Sequence, residues 1–115
     1  MSWGNEWHRI KQWQRRIHKN NVDHGFVHTG EHIHRALLMA IGEIVEAQNE
    51  LRAGHSPRHI YHNLGEKPEG FGIEIADAII RLLDIAEGEG IDMEHCMELK
   101  HEYNVTRPFK HGKAF

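Results

Sequence analysis

Pairs of carboxylates spaced three residues apart occur at two places in the chain, and their chemistry is that of a metal site. Glu43 and Glu46 form one pair, and Glu74 and Asp77 form the other. Residues three apart in an α-helix lie about 60° apart on one face. If the two helices pack side by side, the four carboxylates converge, and their repulsion opposes folding unless a cation or protons neutralise them. Hard oxygen ligands favour Mg²⁺, with Mn²⁺ as an alternative. The pattern therefore predicts a site for Mg²⁺ or Mn²⁺ formed by the four carboxylates.

The surroundings of the two pairs differ. The stretch around Glu74 and Asp77 is apolar nearly all the way round, which predicts a buried helix. Its polar residues, which also include Arg81 and Asp84, fall within an arc of about 80°. A buried acidic stripe needs a positive partner, since an unpaired buried carboxylate is very costly. Taken alone, the pair in the earlier helix is also compatible with an ordinary solvated face.

Cations and an amide share one face of the C-terminal segment. Lys100, Asn104 and Arg107 stand at i, i+4 and i+7, so they lie on one side of a helix. This arrangement suits a phosphate clamp, although it is also compatible with a surface stripe. Glu50 lies close to the line of the first acidic pair and is compatible either with chemistry or with an ion pair to Arg52.

Hydrophobic periodicity predicts four helices and no strands. The first runs from about Ser2 to Lys19 and the second from an N-cap at Thr29 to Arg52. The third covers about Ile73 to Glu87, and the fourth runs from an N-cap at Asp92 to about Val105. Residues 54–72 form a connecting loop with one short helical turn after Ser56-Pro57. We therefore expect a single all-α domain, 1–115, resembling a four-helix bundle.

Composition narrows the function classes. A formal charge of −3 argues against non-specific binding to nucleic acid. We expect no membrane association and no signal peptide, because neither a run of 18 apolar residues nor a basic-then-apolar N-terminus occurs. The lone Cys96, expected half-buried in a helix, fits a reducing cytoplasm. A domain of this size buries a modest core, so we expect a homodimer or homotetramer.

The ordered set of motifs resembles the MazG-like nucleotide pyrophosphohydrolases, part of the all-α NTP pyrophosphatase group. The resemblance rests on Glu43-Ile44-Val45-Glu46, followed after 27 residues by Glu74-Ile75-Ala76-Asp77. The flanking patterns lie at 25–26, 46–52, 72–84 and 100–113, so the resemblance covers about residues 24 to 113.

The resemblance implies hydrolysis of (deoxy)nucleoside triphosphates to the monophosphate and pyrophosphate, with Mg²⁺ on the four carboxylates. It also implies that Lys100, Asn104 and Arg107 approach the substrate phosphates, and Arg81 is a further candidate for substrate binding. Many relatives carry a further acid where this chain has Gly42. The general base that those relatives would take from this position therefore stays unassigned. Either Glu50 replaces it, or a metal-bound hydroxide needs no side-chain base. Glu46 is the second catalytic candidate.

The sequence is also compatible with other binding sites and functions. The candidates for a nucleobase slot are Trp13, His18, Phe26 and Phe71. A non-catalytic nucleotide sensor would keep the same site. A di-iron carboxylate bundle would use two Glu-x-x-His pairs, Glu31 with His34 and Glu98 with His101. The chain also has 12 histidines, which are compatible with a metal site but more typical of an exposed surface.

Overall fold

Helices dominate the computed structural model of the chain, which describes residues 9–26 and 30–112. The elements are α1 (Arg9–Asp23), α2 (Ile33–Arg52), β1 (Tyr61–His62), β2 (Pro68–Glu69), α3 (Phe71–Gly88) and α4 (Met93–Thr106). Short 3-10 turns precede α2 (Gly30–His32) and follow α4 (Phe109–Gly112). The predicted all-α fold class is confirmed, since four α-helices make up most of the described residues. The predicted first turns of helix one and the N-cap at Thr29 lie outside the described residues.

The centre of the fold is the long pairing of α2 with α3, and α1 packs on the other side of α3. Small side chains line these contacts and allow the helix axes to approach closely. They are Ala36, Ala40 and Ala47 on α2 and Ala78 and Ala86 on α3, all buried. In contrast, α4 packs chiefly against α1 and buries none of its residues. The α2–α3 pair is therefore the rigid element on which a site can be built.

Two buried polar side chains attach α1 to the rest of the chain. The side chain of Gln14 donates to the carbonyl of Ile91 at 2.8 Å and accepts from the backbone N–H of Met93 at 3.2 Å. Nδ1 of His18 lies 2.9 Å from Oδ1 of the buried Asp84. Buried polar groups are tolerated when they are hydrogen-bonded in this way. These contacts fix α1 against α3 and against the turn that leads into α4.

The connection between α2 and α3 contains a short β-hairpin, so the expectation of no strands is wrong here. After Ser56-Pro57 the chain forms a single hydrogen-bonded turn, in which the N–H of His59 donates to the carbonyl of Ser56 at 3.0 Å. Tyr61 pairs with Glu69 and His62 pairs with Pro68 in antiparallel register. Each strand is only two residues long, too short to show the alternation by which strands are recognised in sequence.

The hairpin leads into α3 through a glycine that no other residue can replace without strain. Gly70 has φ +139°, and a Cβ built on it would lie 2.3 Å from the carbonyl oxygen of His59. Its own carbonyl accepts the N–H of Glu74 at 3.0 Å, in the first turn of α3. The close contact with the hairpin therefore sets where α3 begins, and with it the position of Glu74.

Candidate metal centre

Pairing of α2 with α3 brings three carboxylates together. Glu43, Glu46 and Glu74 each offer one oxygen, and these oxygens all lie within 4.8 Å of one another. Within residues 9–26 and 30–112, this is the one group of three or more His, Cys, Asp or Glu side chains whose ligand atoms lie close enough to share a metal ion. Asp77, one turn further along α3, lines the same cavity. All four predicted acids therefore face one cavity, and three of them are within reach of a shared ion.

Glu74 is the most unusual of the four because it is buried without a full set of partners. Only 5% of its surface is exposed. Within the described part of the chain, its Oε2 is the buried side-chain oxygen that has no hydrogen-bond partner. A buried polar atom without a partner costs about 1–3 kcal/mol, and more if the group is charged. Such an atom among carboxylates marks a position where a cation or a proton is needed.

The pKa values of two acids in the cluster are raised, as expected where negative charges outnumber positive ones. Burial raises the pKa of Glu74 to about 8, and the neighbouring carboxyls of Glu43 and Glu46 add to the effect. Burial also raises the pKa of Asp77, with Glu43 as the next cause, while Arg81 partly opposes the rise. Protons therefore hold more tightly to this cluster than to ordinary carboxyls.

Arg81 is already bound to a member of the cluster. Its Nε and Nη2 lie 3.1 and 3.0 Å from Oε1 of Glu43, so both donate to a single oxygen. The residue also lines the cavity. The positive partner that the acidic stripe requires thus comes from α3 itself, and it neutralises one of the four acids.

The cavity in front of the acids has a volume of about 570 Å³, within the usual range for small-molecule sites. Besides the acids and Arg81, its lining comes from α1 and the turn after it, from α2, from the hairpin and from α3. These residues are Asn21, Phe26, Met39, Lys67 and Ile80. Asn21 and Lys67 were not identified from the sequence. Helical periodicity could not find them, since one lies at the end of α1 and the other in the hairpin.

Glu50 is not part of the acidic cluster. The hydroxyl of Tyr61 donates to its Oε1 at 2.7 Å, and Nδ1 of His55 lies 2.6 Å from its Oε2. His55, and then Tyr61, lower the pKa of Glu50. The acceptor in turn raises the pKa of Tyr61 to about 12. One oxygen therefore attaches the hairpin to α2 and the other holds the segment that follows α2, an arrangement that helical geometry alone does not reveal.

The predicted phosphate clamp lies on a different surface of the chain. Lys100, Asn104 and Arg107 lie on or at the end of α4, and none of them lines the cavity. The cationic groups of Lys100 and Arg107 instead lie 5.0 and 5.8 Å from the ring centroid of Tyr103. A single chain thus places the acids and these cations apart.

The residues of the alternative assignments are largely engaged elsewhere or exposed. Of the four candidates for a base slot, Phe26 lines the cavity, His18 is bound to Asp84, and Trp13 carries the guanidinium of Arg16 over its ring. The fourth, Phe71, is half-buried at the start of α3 and does not line the cavity. The pairs proposed for a di-iron site are all exposed, namely Glu31, His34, Glu98 and His101. Cys96 is exposed, so the expectation that it is half-buried is wrong.

Comparison of the chain with protein-family models, with curated proteins and with solved structures found no match. None of the helices in the described ranges, 9–26 and 30–112, has the length and apolar character needed to cross a bilayer.

Proposed function

We propose that the protein is a Mg²⁺-dependent, MazG-like nucleoside triphosphate pyrophosphohydrolase that releases the monophosphate and pyrophosphate. The observation that carries the proposal is the buried, partnerless oxygen of Glu74 within reach of the Glu43 and Glu46 carboxylates. A carboxylate in that position is stabilised by a bound cation, because the cluster carries more negative than positive charge.

The donor set fits a hard divalent cation. Glu43, Glu46 and Glu74 would hold Mg²⁺, and Asp77 would complete the set from the next turn of α3. Mg²⁺ prefers carboxylate oxygens and retains water ligands, and Mn²⁺ accepts the same donors. When bound, the ion would neutralise phosphate charge and lower the pKa of a water molecule.

The protein's own groups have separate tasks in this proposal. The four acids position the ion at one wall of the cavity, and Arg81 holds Glu43 in place through two N–H groups. Phe26 offers an aromatic face at the same cavity, where a nucleobase can stack. Because both oxygens of Glu50 are engaged by Tyr61 and His55, we assign it a positioning role. The attacking water, whose pKa a bound ion would lower, would pass its proton to the exposed Glu46 or to solvent.

We further propose that the protein is a homo-oligomer whose subunits meet at α2. Large apolar residues that are more than one-third exposed form a stripe spanning about 120° of this helix. They are Leu37, Leu38, Ile41, Ile44 and Val45. The stripe lies roughly opposite the acidic face, so a second copy can cover it without closing the cavity. For Lys100, Asn104 and Arg107 to contact phosphate, α4 of a second copy must reach the cavity.

The oligomer proposal is tested by the mass in solution. Ile41→Glu places a charge in the middle of the stripe, so the variant should sediment as a monomer while the unmodified chain sediments as a dimer or tetramer. A monomeric unmodified chain would contradict the proposal.

The catalytic proposal is tested by incubating the protein with Mg²⁺ and a panel of ribo- and deoxynucleoside triphosphates. Chromatography should show one monophosphate and one pyrophosphate per turnover for at least one nucleotide. Glu74→Ala and Asp77→Ala should each lose activity by about 100-fold or more, since a metal ligand is removed. Glu98→Ala, an exposed acid on α4, is the matched control and should keep full activity.

Two results would contradict the catalytic proposal. The first is a chain that releases no pyrophosphate from any nucleotide. Nucleotide binding without product would identify the sensor instead. The second is full activity in both cavity variants, with circular dichroism confirming that each variant is folded.

A further inference from the structure

One cationic side chain at the cavity does not form an ion pair with any of the four acids. Lys67 lines the cavity together with the four acids. Its nearest ion-pair partner is Glu69, with Nζ 3.6 Å from Oε1, and 70% of the lysine side chain is exposed. The side chain lies largely in solvent and, among the residues that the structure describes, only one carboxylate forms an ion pair with its ammonium group, so this group can change partners at low cost. Arg81, by contrast, is held by Glu43 at about 3 Å through two of its nitrogens.

The backbone that carries Lys67 is fixed although its side chain is exposed. The side-chain oxygen of Asn63 accepts the N–H groups of Gly65 and Lys67 at 3.0 and 3.2 Å. The backbone N–H of Asn63 donates to the carbonyl of Lys67 at 3.1 Å. These three bonds close the tip of the hairpin. A flexible, charged side chain on a fixed backbone is suited to following a ligand that moves within the cavity.

The other end of the hairpin is also tied down. Tyr61 and His55 both bind Glu50 at the C-terminal end of α2, and Gly70 joins the second strand to α3. The hairpin thus bridges the two helices that supply the acids. The backbone of Lys67 therefore keeps its position relative to α3, while the positive charge of its side chain acts on the carboxyl of Asp77.

We infer that Lys67 contacts the substrate, binding the polyphosphate oxygens of the nucleotide at the hairpin side of the cavity. The inference rests on the proposed function. A nucleoside triphosphate brings more negative charge to a cavity that is already acidic, so it requires a cation besides those bound to the acids. Lys67 supplies this charge from within the same chain, whereas the cations of α4 do not line the cavity.

The test uses Lys67→Met, Lys67→Arg and a matched control, Lys19→Met. Lys19 is 77% exposed and pairs with Asp23 at 2.7 Å, but it does not line the cavity. Hydrolysis of the best nucleotide from the panel should show a KM raised about tenfold or more in Lys67→Met, with a smaller change in kcat. Lys67→Arg should recover most of the loss, and Lys19→Met should match the unmodified protein.

A second measurement separates substrate contact from a structural role. Calorimetry with inorganic tripolyphosphate in the presence of Mg²⁺ should show binding weakened by a similar factor in Lys67→Met. Mg²⁺ alone should bind this variant at least as tightly as the unmodified protein, since a nearby positive charge has been removed. The melting temperature should not change.

The outcomes distinguish this inference from the proposal on which it rests. If the unmodified protein hydrolyses nucleotides and Lys67→Met has the KM of Lys19→Met, the assignment of Lys67 is wrong and the proposed function stands. If the unmodified protein neither hydrolyses a nucleotide nor binds tripolyphosphate, both are wrong. Selective loss of nucleotide and tripolyphosphate binding in Lys67→Met, rescued by arginine, supports the inference.

Discussion

Binding of Mg²⁺ should displace a proton from the carboxyl group of Glu74. The pKa of this group is raised to about 8, and the four acids can hold the ion only with Glu74 ionised. At pH 7 about 0.9 of the group is protonated, falling to about 0.5 at pH 8 and about 0.1 at pH 9. The number of protons released per Mg²⁺ bound should therefore fall from about 0.9 at pH 7 to about 0.5 at pH 8 and about 0.1 at pH 9. The apparent affinity for Mg²⁺ should rise about tenfold per pH unit below pH 8 and level off above it.

Isothermal titration calorimetry in buffers of different ionisation enthalpy measures this release. Glu74→Gln, which resembles the protonated acid in shape, should bind Mg²⁺ weakly and release no proton from this position. Glu98→Gln, an exposed control, should behave as the unmodified protein does. Mg²⁺ binding at pH 7 without proton release, or with an affinity that is constant from pH 6 to 9, would refute the reasoning.

The same shift has a consequence for stability without metal. The pKa of Glu74 rises on folding from 4.5, so its contribution to stability is fully present below about pH 4.5 and is lost as the pH rises through about 8. Thermal unfolding in chelator should therefore show a melting temperature that falls between about pH 4.5 and pH 8 and levels off above pH 8. Mg²⁺ should restore it, and most strongly at high pH, because the ion binds the ionised form.

Three further predictions concern the elements that hold the site. Gly70→Ala should destabilise the fold by about 3 kcal/mol in urea titrations, because of its positive φ and the contact with His59; an unchanged midpoint would contradict this. Tyr61→Phe should lower the urea midpoint through loss of the bond to Glu50, and in the unmodified protein ultraviolet absorbance should show Tyr61 titrating near pH 12 rather than 10. Asp92→Ala should also lower the urea midpoint, because its side chain caps α4, and an unchanged midpoint would contradict this role.

Much of the helical framework could be predicted because it depends on local pattern. Apolar spacing indicated the end of α2 at Arg52, and it indicated both ends of α3 to within two residues, a normal margin. The start of α2 lies further along the chain than predicted, at Ile33. The cap at Asp92 is confirmed by its bond to the N–H of His95 at 3.1 Å. Convergence of the acids followed from one further assumption, namely that these two helices pack side by side.

What could not be predicted depends on contacts between distant parts of the chain. The hairpin is stabilised by Glu50 and by the close approach at Gly70, neither of which leaves a periodic signal. Lys67 therefore appeared only as part of a connector rich in glycine and proline. The spacing of Lys100, Asn104 and Arg107 predicted that they share one face of α4. Spacing does not indicate which other helix this face packs against.

Crystals grown with Mn²⁺ in place of Mg²⁺ offer the most direct test of the central claim, that the acids of α2 and α3 hold a divalent cation. Anomalous scattering should place one Mn²⁺ or more in direct contact with the carboxylates of Glu43, Glu46 and Glu74. Carboxylates turned apart into solvent, with no anomalous peak between them, would contradict the claim.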